Sequence, residues 1–328
     1  MAFKVAEYWA GVLAFAAGMA AATHVFALSI ELKDAGADRI ERQRAAASGS
    51  LPLPGTPNVA ILRDRLKEQG VTLAAPILIR VFKSESELEI WKEKDGVFVL
   101  FSTYPICHWS GTIGPKLRTG DKQAPEGFYT LTRAQLRHTV RHPKALNIGF
   151  PNVLDQSLAR TGSDILIHGG CSSVGCFAMT NPVMDEIHQI TVSAIDSGQQ
   201  HVPVHVFPFR MTPENMKAHE GSPWANFWAN LKQGYDALDA WKRPPTISIC
   251  DGGYGFQQAT NGTASGTIEP CTPTLAIIRE QDQWLRDVPA PSRSPIVQRT
   301  QEPEPAEDPT QLGNDKATDL TESGTPRL

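Results

Sequence analysis

The sequence predicts a mainly β domain with flanking helices, an α+β fold. Runs of five to eight residues, rich in β-branched and aromatic side chains and bounded by glycines and polar turns, recur through the middle of the chain. They lie at 77–82, 88–92, 97–104, 127–131, 164–168 and 202–207. Two longer stretches repeat their apolar residues every three or four positions, as helices do. The 328-residue chain is long enough to bury a core of ordinary size.

Three helices are predicted at the edges of this β-rich region. A short helix follows Pro57 and ends at Gly70. The second begins at Pro182, a residue type favoured in the first helical turn, and its apolar positions share one face. The third begins at Pro223 and carries a stripe of aromatic residues, which we interpret as a core face and not as a ligand platform.

The N-terminal segment carries a targeting signal. Lys4 precedes an uncharged apolar run at 8–22, so we predict a secretory signal peptide over residues 1–27. An uncleaved anchor is the alternative, because the run continued to Ile30 approaches the roughly 20 residues that span a bilayer. The rest of the chain is exported in either case, and a membrane is a partner only if the segment is uncleaved.

Composition divides the remaining chain into four segments, with no internal repeat. The last segment is rich in proline and low in apolar residues, which is typical of disorder. The four are a linker with a short helix at 28–75, a β-rich domain at 76–211, a helical extension with a Gly-rich loop at 212–282, and a disordered Pro-rich tail at 283–328.

Charge and cysteine content limit the partners and the compartment. The formal net charge is −4 and no basic run stands out, which argues against a nucleic-acid partner. Five cysteines in an exported chain leave at least one thiol unpaired. Cys250 and Cys271 flank the Gly-rich segment 251–270, so a disulfide closing that loop is one hypothesis, and two unrelated thiols are an equal alternative.

The stretch HGGCSSVGCFAMT, at 168–180, follows a predicted strand and contains the densest chemistry in the chain. A metal site would use His168, Cys171 and Cys176 with a ligand such as His188, but H-x2-C-x4-C is not a standard zinc spacing. A redox pair would normally be C-x-x-C at the start of a helix, whereas the spacing here is C-x4-C in a β-rich region. A cysteine nucleophile with a histidine base fits the pattern better.

That interpretation assigns a part to each residue of the stretch. His168 would activate the Cys176 thiol, and the carbonyl of Gly169 would orient the imidazole without any acidic partner. Gly175 lets the backbone approach a substrate carbonyl, and the amides of Gly175 and Cys176 could form an oxyanion hole. This chemistry needs no cofactor and no metal.

IHGGCSSVGCFAMT resembles the active-site signature of the L,D-transpeptidase (YkuD-type) catalytic domain, in which His-Gly is followed by Ser-x-Gly-Cys. The gap between histidine and Ser-x-Gly-Cys is shorter than usual. Val174 stands where a second histidine is common, and Ala178 where many members have Arg or Asn. These departures resemble the YafK-like branch of Gram-negative bacteria. Similar segments of that branch lie at 114–131, 146–152 and 160–169, and the resemblance covers 76–211.

The resemblance implies a β-sandwich-like catalytic domain and a set of site residues. Cys176 aligns with the nucleophile and His168 with the general base and acid. Gly169 aligns with the residue whose carbonyl orients the histidine, while Ser173 and Gly175 align with the active-site turn and the oxyanion hole.

Three further residues are less defined by the motif. Lys116 and Arg160 could bind a carboxylate of the substrate, although exposed surface charges are the simpler interpretation. Cys171 has no part in the general motif, and is either a spare thiol or a partner of Cys107.

The function that the resemblance implies is an exported cysteine L,D-transpeptidase of the periplasm or cell envelope. It would acylate Cys176 with peptidoglycan stem peptides at meso-diaminopimelate and transfer the acyl group to an amine, in cell-wall biogenesis or remodelling. One alternative is an amidase that uses the same site and water to release a wall-linked lipoprotein. A weaker alternative is a non-catalytic metal-binding or wall-binding module.

Overall fold

The computed structural model describes residues 37–259 and 268–271. The chain divides into two compact units, Met1–Thr272 and Pro273–Leu328, and the described residues belong to the first. The predicted signal segment 1–27 and the predicted tail 283–328 lie outside the described residues. No helix within the described part is long and apolar enough to cross a membrane.

The N-terminal segment contains two α-helices, α1 (Ala37–Ala47) and α2 (Leu62–Gln69), with a 3₁₀ turn at Val59–Ile61 ahead of the second. The predicted short helix is therefore present, and it ends at Gly70 in the left-handed conformation that glycine adopts without strain. α1 was predicted as linker. It has no apolar stripe, since its sequence is ADRIERQRAAA, so helical periodicity could not indicate it.

The larger of two five-stranded sheets contains the long predicted strands. Its order is β3-β2-β1-β10-β5, and only the β1–β10 pair is parallel. Every residue of β1 and β10 is buried, as expected for apolar runs in the centre of a sheet. The strands are β1 (Ile77–Phe82), β2 (Glu87–Lys94), β3 (Val97–Pro105), β5 (Gly127–Leu131) and β10 (Val202–Phe207).

The second five-stranded sheet has strands of only two or three residues. Its order is β4-β9-β8-β7-β6, and β8 and β9 run parallel to each other. The predicted strand at 164–168 is shorter in the structure. The strands are β4 (His108–Trp109), β6 (Leu136–Arg137), β7 (Ala145–Asn147), β8 (Leu166–His168) and β9 (Phe177–Ala178).

A one-turn helix, α3 (Val153–Ser157), precedes β8. The predicted second helix is α4 (Asn181–Asp196), and it packs on the apolar core. The apolar face of α4 packs in one cluster with residues of both sheets. That face consists of Val183, Ile187, Ile190 and Ala194. The prediction of an α+β fold, mainly β with flanking helices, is confirmed.

The C-terminal extension holds two helices, α5 (Pro213–Ala218) and α6 (Ala225–Trp241), and a three-stranded sheet. The aromatic stripe of α6 is a core face, because it joins the second apolar cluster. The predicted Gly-rich loop instead contains a hairpin, because Asp251 and Gly252 both adopt the positive φ that a tight two-residue turn requires. The strands are β11 (Thr246–Cys250), β12 (Gly253–Gln257) and β13 (Ile268–Pro270).

A fully buried ion pair ties the extension to the larger sheet. The Lys83 ammonium, just after β1, lies 2.9 Å from the Glu126 carboxylate. Lys83 also donates to the carbonyls of Gly114 and Ala124, while Glu126 accepts the Gly114 N–H and the indole N–H of Trp228 on α6. Every strong hydrogen-bonding group of the pair thus has a partner, which offsets the desolvation of two charges.

Two disulfides are present among the described residues. One joins Cys250, at the end of β11, to Cys271, and the other joins Cys107 to Cys171. Cys176 is the free cysteine. The Cys250–Cys271 bond joins two residues that are 21 positions apart in sequence.

We expect non-reducing peptide mapping of protein made in an oxidising compartment to recover Cys250 and Cys271 in one disulfide-linked pair. In the chain-entropy model, a disulfide that closes a loop of this length stabilises the fold by about 3 kcal/mol. The double variant Cys250→Ser/Cys271→Ser should therefore unfold at lower denaturant concentration, with Cys176→Ser as the matched control. Alkylatable free thiols at both positions in the oxidised protein would contradict the pairing.

Candidate active site

His168 ends β8, and Cys176 directly precedes β9, the strand that runs parallel to β8. The register pairs His168 with Ala178, and Cys176 lies two residues before Ala178. Because side chains alternate along a strand, both functional groups project to the same face. They line one cavity of about 810 Å³. The motif interpretation is thus matched by a shared cavity in the structure.

The Cys176 side chain is half-buried and hydrogen-bonded in its thiol form. Its sulfur accepts the N–H of Leu166 at 3.3 Å, and the thiol donates to the carbonyl of Asp164 at 3.6 Å. Burial raises the pKa of the Cys176 thiol, and the N–H of Leu166 only partly opposes this. The raised pKa favours the neutral thiol over the thiolate at Cys176.

The imidazole of His168 is buried and fixed in one tautomer. Its Nδ1 lies 2.6 Å from the carbonyl oxygen of Gly169, which can only accept, so Nδ1 donates and Nε2 is left as the acceptor. Burial lowers the pKa of His168, and the nearby His142 and Arg141 lower it further. The pair is neutral at rest, and Nε2 is ready to take a proton when the thiol attacks.

The turn before Cys176 is held by two serine hydroxyls. The N–H of Cys176 donates to Ser173 Oγ at 2.8 Å, and the N–H of Gly175 donates to Ser110 Oγ. Gly175 has a φ of 97°, which favours glycine even though a Cβ there would meet nothing closer than 3.7 Å. In this conformation the Gly175 amide anchors the loop and is not a free oxyanion donor, so that expectation is revised. The Cys176 amide, whose partner belongs to the same loop, is the more available donor.

Lys116 and Arg160 do not face the cavity. The Lys116 ammonium pairs with the Asp121 carboxylate and the Arg118 carbonyl, and the Arg160 guanidinium pairs with Asp155 at 2.9 Å. Both cations are nearly buried, so each requires its partner to offset desolvation. These ion pairs do not favour binding of a substrate carboxylate, and that expectation stays a prediction.

Three basic residues that sequence reasoning missed line the cavity instead. Arg141, His142 and Lys144 lie on the turn that joins β6 to β7. The His142 ring lies 4.0 Å from the His168 ring, centroid to centroid, and Lys144 pairs with Asp185 at 2.8 Å. The sequence RHPK carries no motif. Only the pairing of the two short strands brings it to the catalytic histidine.

The Cys107–Cys171 disulfide fixes the other end of the catalytic loop, residues 169–176. Cys107 directly precedes β4, so the bond ties this loop to the edge of the second sheet. Cys171 is therefore the disulfide partner of Cys107 and not a spare thiol. As a disulfide sulfur it is no thiolate ligand, and the described residues contain no group of three or more His, Cys, Asp or Glu placed to hold a metal.

Comparison with known proteins assigns the family. Residues 76–206 match the family model of the L,D-transpeptidase catalytic domain (YkuD). The chain is also 44% identical over 182 residues to YafK of Escherichia coli strain K12, which has a provisional assignment as an L,D-transpeptidase; the match covers 56% of this chain and 74% of the relative. The chain belongs to the L,D-transpeptidase family. YafK of Escherichia coli O157:H7 matches to the same extent. Membership supports a cell-wall function of the L,D-transpeptidase type.

Solved structures also resemble the chain at low identity. The helical cell shape determining protein Pgp2 from Campylobacter jejuni is 22% identical, with a TM-score of 0.34 over 55% of this chain and 66% of that chain. Bd1075 of Bdellovibrio bacteriovorus is 19% identical, with a TM-score of 0.30 over 52% of this chain and 62% of that chain. The family assignment does not depend on these two structures.

The neutral resting pair predicts how Cys176 reacts with iodoacetamide. A raised thiol pKa and a lowered imidazole pKa both disfavour a thiolate–imidazolium pair, so thiolate forms only as pH rises through the thiol pKa. The alkylation rate should therefore increase about tenfold per pH unit between roughly pH 6 and 8, as for an unpaired thiol. Mass spectrometry of the labelled peptide checks the site, and Cys176→Ala is the control. A rate that is already high at pH 6 and stays flat to pH 8 would show a preformed ion pair.

Proposed function

We propose that this L,D-transpeptidase family member is an exported enzyme that forms an acyl-enzyme on Cys176 with a peptidoglycan stem peptide. Acylation occurs at meso-diaminopimelate, and an amine accepts the acyl group. The observation that carries the proposal is the placement of His168 and Cys176 on one face of β8–β9, lining one cavity. The family's motif contributes the substrate class.

Acylation begins with the neutral pair. The Cys176 sulfur attacks the carbonyl carbon of the donor amide while its proton passes to Nε2 of His168. The carbonyl oxygen becomes an oxyanion, stabilised by the Cys176 amide once the Ser173 hydroxyl gives way. The carbon–nitrogen bond then breaks, and His168 returns the proton to the departing amine. The products are a thioester on Cys176 and a free amine.

Deacylation repeats these steps with a new nucleophile. The nitrogen of an acceptor amine attacks the thioester carbonyl and loses a proton to His168. The carbon–sulfur bond breaks and the sulfur recovers that proton as a thiol. Water in place of the amine would give a free carboxylic acid, which is the amidase alternative. The two outcomes share every residue and differ only in the acceptor.

The charges around the cavity suit a substrate with both an amine and a carboxylate. Arg141 on the β6–β7 turn provides a cation, and the exposed pair of Lys144 with Asp185 on α4, at 2.8 Å, provides one charge of each sign that a substrate could compete for. The D-centre of meso-diaminopimelate carries both complementary groups. Ala178, where many family members have Arg or Asn, is fully buried opposite His168. The cations of this cavity therefore come from a different element.

Export is supported by two independent features. The N-terminal apolar segment has the character of a secretory signal or anchor. The two disulfides are typical of proteins that fold in an oxidising compartment such as the periplasm.

The nucleophile is tested with Cys176→Ala. This variant should lose all detectable turnover of defined muropeptides while unfolding at a similar temperature, because one half-buried sulfur is removed without leaving a charge unpaired. Cys250→Ala/Cys271→Ala is the matched control and should keep its turnover, since it removes two cysteines remote from the motif. A covalent carbapenem adduct on wild-type Cys176, found by mass spectrometry, is the second readout. Wild-type turnover in Cys176→Ala would refute the mechanism.

The same assay, run with and without an amine acceptor, identifies the reaction. A new amide product indicates transfer, and a free acid under both conditions indicates hydrolysis by the amidase alternative.

His168→Ala separates activation of the thiol from protonation of the leaving group. At high pH the thiol ionises unaided, so carbapenem acylation should recover between about pH 7 and 9.5, because β-lactam ring strain makes acid help less necessary. Muropeptide turnover should stay near zero, since an amine is a poor leaving group without a proton. Recovery of both activities would show that His168 acts only as a base. Recovery of neither would show that its main effect is on the shape of the loop.

A further inference from the structure

The first helix, α1, docks on the backbone that supports the catalytic turn. Arg39 is only 5% exposed, and it is the buried residue among positions 39–47 of α1. Its Nη1 donates to the carbonyl oxygens of Trp109 at 2.8 Å and Gly111 at 3.1 Å. The guanidinium carbon lies 3.8 Å from the centroid of the Trp109 ring. Arg39 therefore fixes the chain on both sides of one residue, Ser110.

Ser110 connects this contact to the nucleophile. Its hydroxyl donates to the Lys122 carbonyl at 2.7 Å and accepts the N–H of Gly175. Gly175 directly precedes Cys176, so its anchored amide sets where the Cys176 amide and sulfur are placed. A short chain of contacts thus leads from α1 through 109–111 to the catalytic turn.

Arg42, one turn along α1, contacts the other attachment of the catalytic loop. Its guanidinium donates to the carbonyls of Ser86 at 2.7 Å and Ile106 at 3.1 Å. The sulfur of Cys107, which is bonded to Cys171, lies 3.9 Å from the Arg42 carbonyl oxygen. Two of the links from outside to loop 169–176, the Ser110 hydrogen bond and the disulfide, therefore start from chain that α1 contacts.

The strand that carries these links is short. β4 consists of two residues and pairs with β9 at only two positions, His108 with Ala178 and Trp109 with Phe177. The buried Trp109 ring donates its indole N–H to Ser86 Oγ at 3.1 Å, and the Ser110 carbonyl accepts the Ala124 N–H at 3.1 Å. The guanidinium of Arg39 supplies two further hydrogen bonds and a ring contact at that point.

We propose that Arg39 is a positioning residue that acts from α1 through Ser110 on Gly175 and Cys176. This inference rests on the proposed function, because it concerns the acylation of Cys176. Acylation requires the sulfur and the amide of Cys176 to meet a carbonyl group in one geometry, and small misplacements reduce such rates strongly. Alkylation by iodoacetamide requires only an accessible thiolate.

The experiment compares these two reactions in the full chain. In Arg39→Ala we expect carbapenem acylation of Cys176 to slow about tenfold or more, since loss of positioning by a fraction of an ångström reduces rates by this order. Iodoacetamide alkylation at the same pH should change less than about twofold, because the thiol pKa depends on burial and on Leu166. Arg39→Lys should remain slow, since a lysine cannot reproduce the planar fork and the ring contact together.

Controls separate positioning from general stability. Arg44→Ala, in the last turn of the same helix, should leave both rates unchanged. Ser110→Ala should reproduce the Arg39→Ala pattern, and the double variant should be no slower than the slower single variant, because both act on one path.

The two rates of Arg39→Ala decide whether Arg39 is a positioning residue. Unchanged acylation in Arg39→Ala overturns the proposal, and so does an equal fall in both rates, which would show only a loss of folded protein. Failure of the wild type to acylate would instead refute the proposed function, so the two failures are distinguishable.

Discussion

The buried pair of Lys83 and Glu126 is the constraint on which the site depends. A charge sealed from water must be neutralised by a neighbour, so this pair fixes its surroundings closely. Lys83 follows β1, and the two side chains bind the backbone of Gly114 and Ala124 and the indole of Trp228. The large sheet, the chain that runs past the catalytic turn, and the C-terminal helix α6 thereby meet at one point. The active site is assembled on chain that this point holds in place.

The long elements could be predicted from the sequence because their patterns are local. β1 and β10 are mostly apolar runs, interrupted by Arg80 and His205, and α4 shows one apolar face after Pro182. The second sheet could not be predicted strand by strand, since two or three residues show no period. Those strands exist because each pairs with a neighbour in the folded sheet, as His108 of β4 pairs with Ala178 of β9. α1 was missed for a different reason: it is held by arginine hydrogen bonds and not by an apolar face.

The residues of the site also fall into two groups: those that the sequence indicates and those that only the folded structure brings together. The shared cavity of His168 and Cys176 could be anticipated because the proposed base and nucleophile lie eight positions apart in one motif. The contact of Ser110 could not, because only tertiary structure brings its hydroxyl to the turn before Cys176. The ion pair of Arg160 with Asp155 could not be predicted either, because nothing in the sequence marks the two as partners. A charged residue near a motif is informative only once its partner is known.

The Cys107–Cys171 disulfide also bears on how the protein matures. Cys171 lies five positions from Cys176 in the same loop, so while the chain is still unfolded these two thiols meet more often than either meets Cys107. A bond between them would block the Cys176 thiol, which the proposed mechanism requires to be free. The native pairing therefore needs either early capture of Cys171 by Cys107 or repair by thiol exchange, which makes the yield of protein with a free Cys176 sensitive to the redox conditions of folding.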